Sequence, residues 1–295
     1  MFVAKEPNNI LAAGFITLSG VFIAASTLAA KALGTGTFGD PLHPLQISQG
    51  RFIFAWIAII TAAIILRPAL ERPNWGLHIG RTVCGWIGVS AMFAAVAYIP
   101  LADATAISFL NPVFAMMLAI PLLGEKVGRY RWMAAGMALV GALILLRPTP
   151  ASFQPAALIA LGAAMIMGLE LIFIKRLARR EGPFQILIFN NSLGLVISSV
   201  AAFAVWQAPN ATQWAVLACV GVSMAAAQAC FVNGMARADA SFVAPFSYAT
   251  LIFAAIYDAL FYDVIPDAIT WAGAAIIIAG AVWLAIREAR AKPTA

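Results

Sequence analysis

Long apolar runs follow one another through this chain, at roughly 10–33, 45–66, 79–99, 103–123, 131–148, 155–177, 184–206, 213–235, 241–262 and 267–287. Crossing about 30 Å of hydrocarbon takes about 20 mostly apolar residues in a helix. Inside hydrocarbon every backbone N–H and C=O must find a partner within the chain, which leaves only helices or a closed barrel. A barrel would show short alternating segments of about ten residues. The runs here are continuous, so the sequence predicts an all-α integral membrane protein of ten transmembrane helices. With 63% apolar and 10% charged residues and a mean hydropathy of +0.93, almost nothing is left for a soluble catalytic or nucleotide-binding domain. No GxxxxGK[ST] phosphate loop occurs, so direct ATP drive is not expected. The first run is too long for a signal-peptide core and is followed by Lys31 and a Gly-rich loop, so it is expected to stay as a mature helix.

The chain repeats itself weakly. Tyr98–Gly141 reads YIPLADATAISFLNPVFAMMLAIPLLGEKVGRYRWMAAGMALVG, and from Met235 comes MARADASFVAPFSYATLIFAAIYDALFYDVIPDAITWAGAAIIIAG. Ala-Asp-Ala at 238–240 answers Ala-Asp-Ala at 102–104, Pro245 answers Pro112, and Asp263 stands near the place of Glu125. Trp271 precedes Gly273 and Gly280 as Trp132 precedes Ala134 and Gly141. The expected division is therefore 1–150 and 151–295, two related five-helix halves. Because five is odd, the second half would enter the membrane from the opposite face, making the repeats inverted. Inverted repeats are a recurring plan of secondary transporters, in which one midplane site is exposed to each side in turn.

Charge placement orients the bundle. If the loops alternate sides, Lys5, Arg67, Arg72, Arg81, Lys126, Arg129, Arg131, Lys175, Arg176, Arg179, Arg180, Arg237, Arg287, Arg290 and Lys292 share one side. Lys31, Arg51 and Arg147 remain toward the other. By the positive-inside rule both termini are cytoplasmic, and the net charge of +6 reflects topology, with no nucleic-acid partner expected. Trp75, Tyr130, Trp132 and Trp283 at one side and Trp206, Trp214 and Trp271 at the other suit interfacial belts. Trp56 and Trp86 lie well inside their spans and must pack on helices, face lipid or line a cavity. Cys84, Cys219 and Cys230 show no paired spacing, so neither disulfide nor metal is expected.

Several residues then carry a resemblance: Arg51-Phe52 opening the second span, PLADATA, Asn111-Pro112 followed by LLGEKV, the small-residue helix after Trp132, RADASFVAPFSY and TWAGAAIIIAG. With these the chain resembles the drug/metabolite transporter (DMT) superfamily in its ten-helix EamA-type form, over nearly its whole length. Within it the chain resembles YddG-type amino-acid exporters, and also bacterial carriers of S-adenosylmethionine or riboflavin. It departs from the common pattern at Tyr262-Asp263, where Gly-Glu is usual, and at Glu170, where an aromatic or apolar residue is frequent.

Site candidates come from intramembrane polarity. Proline inside a helix removes a backbone bond and frees the carbonyl four residues earlier, so Pro112 and Pro245 are expected hinges. Stripes at helical spacing nominate Ser19 and Phe22 on the first span, Trp86, Ser90 and Phe93 on the third, and Ser108 and Asn111 on the fourth. Gln228 and Phe231 on the eighth and Tyr248 on the ninth complete the expected substrate-binding surface. Ordinary helix packing also favours Ser and Thr at interfaces, so the stripes have a structural reading too. Ionisable groups at depth default to function. Arg51 is close enough to the outer surface to act as an anchor, and Asp258 near a span end is expected to be wet. Glu170 is the proton-coupling candidate, the alternative being that it points into solvent near Lys175 and Arg176. His43 and His78 are read as loop residues. No clustered His, Asp or Glu and no HExxH helix suggests an enzyme.

The expected function is a secondary, non-ATP exporter of small amphipathic metabolites in a bacterial inner membrane, working by alternating access. Aromatic and apolar amino acids are its expected substrates, with no cofactor, and the small-residue faces would serve a monomer or a homodimer. The alternatives are an uptake carrier of the S-adenosylmethionine or riboflavin type and a multidrug/proton antiporter.

Overall fold

The computed structural model describes residues 7–96, 107–147, 157–263 and 267–290, with the backbone alone at 90, 93, 94 and 96. The PLADATA turn falls outside them. Among the described residues there is no strand. The helices are α1 (Asn9–Gly34), α2 (Pro44–Leu66), α3 (Trp75–Val96), α4 (Asn111–Leu123), α5 (Arg129–Leu146), α6 (Ala157–Ala178), α7 (Pro183–Ala202), α8 (Ala211–Met235), α9 (Ala240–Tyr262) and α10 (Ala268–Arg290). Eight of them are long and apolar enough to cross a membrane, and α4 is a shorter apolar helix. The ten segments fit the ten expected spans, with two sizeable shifts: α4, after the turn at 109–110, starts at Asn111 instead of 103, and α3 starts at Trp75 instead of 79. His78 and Arg81 are therefore helical and buried, at 1% and 4% exposure, and neither belongs to a loop as the charge pattern implied.

Local chemistry sets the ends. The Asn8 side chain accepts from Leu11 N–H and caps α1. Asn210 and Gln213 form a capping box at α8, and their amides also hold the carbonyls of Phe38 and Asp40 in the α1–α2 loop, both at 2.8 Å. Gly124 ends α4 in the left-handed region, φ 68°, and Asp263 ends α9 there too, φ 53°. Asp263 therefore occupies the counterpart of Gly124, one residue away from the Glu125 position suggested by the repeat; aspartate is among the non-glycine residues that tolerate this conformation.

Both prolines mark interruptions. Pro112 sits in the first turn of α4, directly after a turn at 109–110. Pro245 lies in a 3-10 stretch, Ala244–Tyr248, that splits α9 into Ala240–Val243 and Ala249–Tyr262. The two breaks meet: Tyr248, wholly buried, donates its hydroxyl to the Phe109 carbonyl, with the rings 5.7 Å apart. A carbonyl outside regular helix must find such a donor in a membrane.

The helices pack in a matched pattern. α1 lies against α8 and α9, α6 against α3 and α4, and α5 against α10. α2 packs along both α7 and α8, whereas α3 meets α7 only lightly, chiefly at one end, where the Phe189 ring is 5.1 Å from Trp75 and 4.9 Å from His78. That end is tied further by polar groups. Glu181 accepts from Asn74 N–H at 2.7 Å and Gln185 Nε2 at 2.7 Å and pairs with His78 Nε2 at 2.8 Å.

A second polar tie joins the α4–α5 turn to α9. The Glu125 carboxylate accepts from the backbone N–H of Ala240 and Ser241, at 2.9 and 3.0 Å, and from the Ser241 hydroxyl at 2.7 Å. Arg131 beside it donates to Asp239, Ser241 and Glu288. Where α5 ends, Arg147 binds the carboxylate of Asp267 and holds it well below the usual carboxylate range.

Candidate functional site: a charged cavity between α2, α3, α6 and α7

Because α3 and α7 diverge from their tied end, space is left between them. A cavity of about 230 Å³ fills it, lined by α2 (Leu45, Ser48, Arg51, Phe52), α3 (Arg81, Thr82, Gly85, Trp86, Val89), α6 (Glu170), α7 (Asn190, Gly194, Ile197, Ser198, Ala201) and Gln228 of α8. Leu45 and Ala201 sit near helix ends, so the lining runs from one end of the bundle down to Arg81 and Glu170.

Its electrostatics depart from an ordinary apolar helix interface. Arg81 Nε is 3.9 Å from Glu170 Oε1, and Arg51 also acts on Glu170 through its charge. Two cations and one carboxylate thus face a common space. Gly85, one turn beyond Arg81, provides the room: a Cβ there would lie 3.1 Å from all three atoms of the Glu170 carboxyl group. Arg81 Nε and Nη1 and Thr82 Oγ1 are buried without a hydrogen-bond partner among the described residues. The Gln228 carbonyl oxygen accepts from Asn191 Nδ2 at 2.8 Å, which fixes the amide at the cavity edge. Trp86 is 54% exposed and, with Phe52, Val89 and Ile197, supplies the apolar wall.

Of the residues nominated from sequence, Trp86, Gln228 and Glu170 come together here. Ser19 is 1% exposed and donates to the Ala227 carbonyl at 2.9 Å, joining α1 to α8. Phe22 is half-buried on α1 and is not in the cavity lining, and Phe231 packs against the main core. Asn111 opens α4, with its carbonyl against Gly168 of α6. Ser108 is helical, just ahead of the turn at 109–110, and is not in the cavity lining. Tyr248 closes the helix breaks described above. Ser90 and Phe93 lie on α3, but their side chains are outside the described residues.

Other charged positions resolve differently from the sequence reading. Arg51 lines the cavity instead of reaching for the surface. Arg81, counted above as a loop cation, is its most buried charge. Glu170 faces Arg81, while Lys175 turns away to the carbonyls of Met235 and Ala238. Trp56 donates its indole N–H to Ser192 at 3.0 Å. Sequence reasoning missed Arg81 because α3 begins a turn earlier than the apolar run, and the signal that could have found it is the i, i+3 spacing of His78 and Arg81, which puts the two on one helical face.

A multi-span helical bundle with a charged, amphipathic cavity among its helices defines a membrane transporter. The description "EamA-like transporter family" matches residues 10–147 and again 154–286, and the chain belongs to that family. It is 30% identical to a riboflavin transporter of Vibrio cholerae, over 82% of each chain. It is 27% identical to an S-adenosylmethionine uptake transporter of Rickettsia bellii, over 94% of each. It is 25% identical to the pseudopaline exporter CntI of Pseudomonas aeruginosa, over 73% of this chain and 77% of that one. A solved crystal structure superimposes with a TM-score of 0.78 at 20% identity, covering 95% of this chain and 99% of the other, a likeness of fold.

Proposed function

We propose that this protein is a secondary, alternating-access carrier of small amphipathic metabolites the size of an aromatic or apolar amino acid, in a bacterial inner membrane with both termini cytoplasmic. The halves 1–150 and 151–295 act as two inverted units, and Pro112 and Pro245 are the flexible points within them. The packing pattern supports this reading: exchanging the halves turns α1–α8 into α6–α3, and α1–α9 into α6–α4. The pairs α2–α8 and α7–α3 should then match, yet one is closely packed and the other loose. A carrier caught with one side closed is expected to look so.

The observation that carries the substrate reading is the cavity. At about 230 Å³ it falls below the roughly 300–1,000 Å³ of pockets for drug-sized ligands, so it suits one aromatic ring with a polar end. The names of the relatives favour a second reading, carriage of S-adenosylmethionine or riboflavin, which requires the α3–α7 space to widen further. A multidrug antiporter for lipophilic cations fits less well, since Glu170 already has Arg81 beside it. Relatives named for uptake and for export both occur, and amino-acid export draws no support from their names. A carrier without ATP runs down whichever gradient it meets, so net export follows from a higher cytoplasmic concentration.

The test is counterflow into proteoliposomes of the purified protein, offering labelled Phe, Trp, Thr, Met and Lys, then S-adenosylmethionine, riboflavin and a lipophilic dication, with and without a pH gradient. Saturable counterflow of Phe, Trp or Met supports the reading. Counterflow of S-adenosylmethionine or riboflavin alone replaces it with the second.

A further inference from the structure

We infer that Arg81, together with Thr82 and Arg51, forms a carboxylate subsite at the floor of the cavity, and that Glu170 is the resting counter-ion which an incoming carboxylate displaces. This rests on the proposed cavity as the binding site and names the part of the substrate the site recognises.

The argument starts from the state of the Arg81 guanidinium. It is 4% exposed, yet neither Nε nor Nη1 makes a hydrogen bond among the described residues. Charge-assisted N–H···O contacts run at about 2.7–2.9 Å, and the nearest approach to Glu170 is 3.9 Å. Glu170 therefore compensates the charge without filling the donors. Buried arginine donors left unfilled are costly, and the planar guanidinium carries its donors in the plane where a carboxylate meets them. Thr82, the next residue on α3, offers a buried hydroxyl that is likewise unpartnered.

Charge counting points the same way. Among the described lining residues Arg51 and Arg81 stand against Glu170 alone, an excess of one positive charge in a poorly solvated space. One monoanionic group neutralises it. Nothing in the lining adds a second carboxylate for an ammonium group, so the carboxylate is required and an α-amino group is dispensable. The apolar body then lies along Trp86, Val89 and Ile197.

Three probes separate these requirements in calorimetric titrations of the purified full chain: 3-phenylpropionate, phenylalanine and phenylalaninamide. The expected order is 3-phenylpropionate at least as tight as phenylalanine, with phenylalaninamide weaker by at least about tenfold, the scale of a lost charge-assisted hydrogen bond. The triple variant Arg51→Gln/Arg81→Gln/Glu170→Gln removes all three charges of the lining together, so no buried ion is stranded, and it should abolish the discrimination. Thr82→Val, which leaves the ion pair intact, should weaken 3-phenylpropionate several-fold. Phenylalaninamide binding as tightly as phenylalanine, discrimination that survives the triple variant, or no binding by either carboxylate would each overturn the subsite. Carboxylate binding in a protein that exchanges no amino acid would leave the subsite standing and remove the amino-acid reading, so the two fail separately.

Discussion

Gly141 of α5 and Gly273 of α10 meet so closely that a Cβ on either would lie 2.7 Å from the other's carbonyl oxygen. Further along the same crossing, a Cβ on Gly280 would lie 3.4 Å from the Ala134 carbonyl. In the sequence repeat Ala134 answers Gly273 and Gly141 answers Gly280, so one contact maps onto the other when the halves are exchanged. Small residues permit such approach between membrane helices. Gly141→Val should force α5 and α10 apart at a cost of about 1–3 kcal/mol. Thermal melting in detergent should drop by several degrees while affinity for 3-phenylpropionate stays unchanged, because this pair is remote from the cavity lining.

Tyr248 offers the cleanest separation between a packing role and a binding role. Tyr248→Phe keeps the ring in place but removes the donor to the Phe109 carbonyl, leaving a buried acceptor unmet at about 1–3 kcal/mol. The melting temperature should fall with ligand affinity preserved. A large loss of affinity in a protein of unchanged stability would return Tyr248 to the substrate site.

Glu181 ties α3 to the start of α7, and its carboxylate holds Asn74 N–H, His78 and Gln185 at once. Glu181→Ala strands several buried polar groups and should lower stability by about 3 kcal/mol or more; Glu181→Gln, which can still accept from Asn74, should lower it less. Denaturant midpoints of the two variants check that order, and midpoints equal to that of the wild type would show that the network holds nothing.

Gly221 of α8 presses on α2 so tightly that a Cβ would lie 2.8 Å from both Arg51 O and Ala55 N. These are backbone atoms and cannot swing aside. Gly221→Ala should therefore prise α2 from α8 and disfavour the state with that side closed. The exchange rate should change at least several-fold while the protein remains folded, and a wild-type rate would show that α2–α8 contact is not part of the cycle.

The spans were legible because hydrocarbon imposes a length that composition alone meets. What the runs hid was the start of α3, where Trp75, His78 and Arg81 make a helix too polar to read as membrane. The Arg81–Glu170 approach joins residues on different helices, and no spacing rule along one helix reveals it. Ser19 and Tyr248 show the converse: an i, i+4 stripe marks the side facing another helix, and most such sides are packed rather than hollow. Trp86 was legible because an intramembrane tryptophan away from the belts needs an unusual surrounding. Asp263 shares its left-handed backbone with Gly124, the neighbour of Glu125, a likeness of conformation that side-chain charge does not reveal.

The central claim is a single site exposed to the two sides in turn, and trans-stimulation tests it directly. Proteoliposomes are loaded with labelled phenylalanine, and efflux is followed with and without unlabelled phenylalanine outside. An alternating carrier returns faster when loaded, so outside substrate should accelerate efflux, and the double variant Arg81→Gln/Glu170→Gln should lose that acceleration. Efflux that is unchanged or slowed by outside phenylalanine would contradict the account and describe a passive pore.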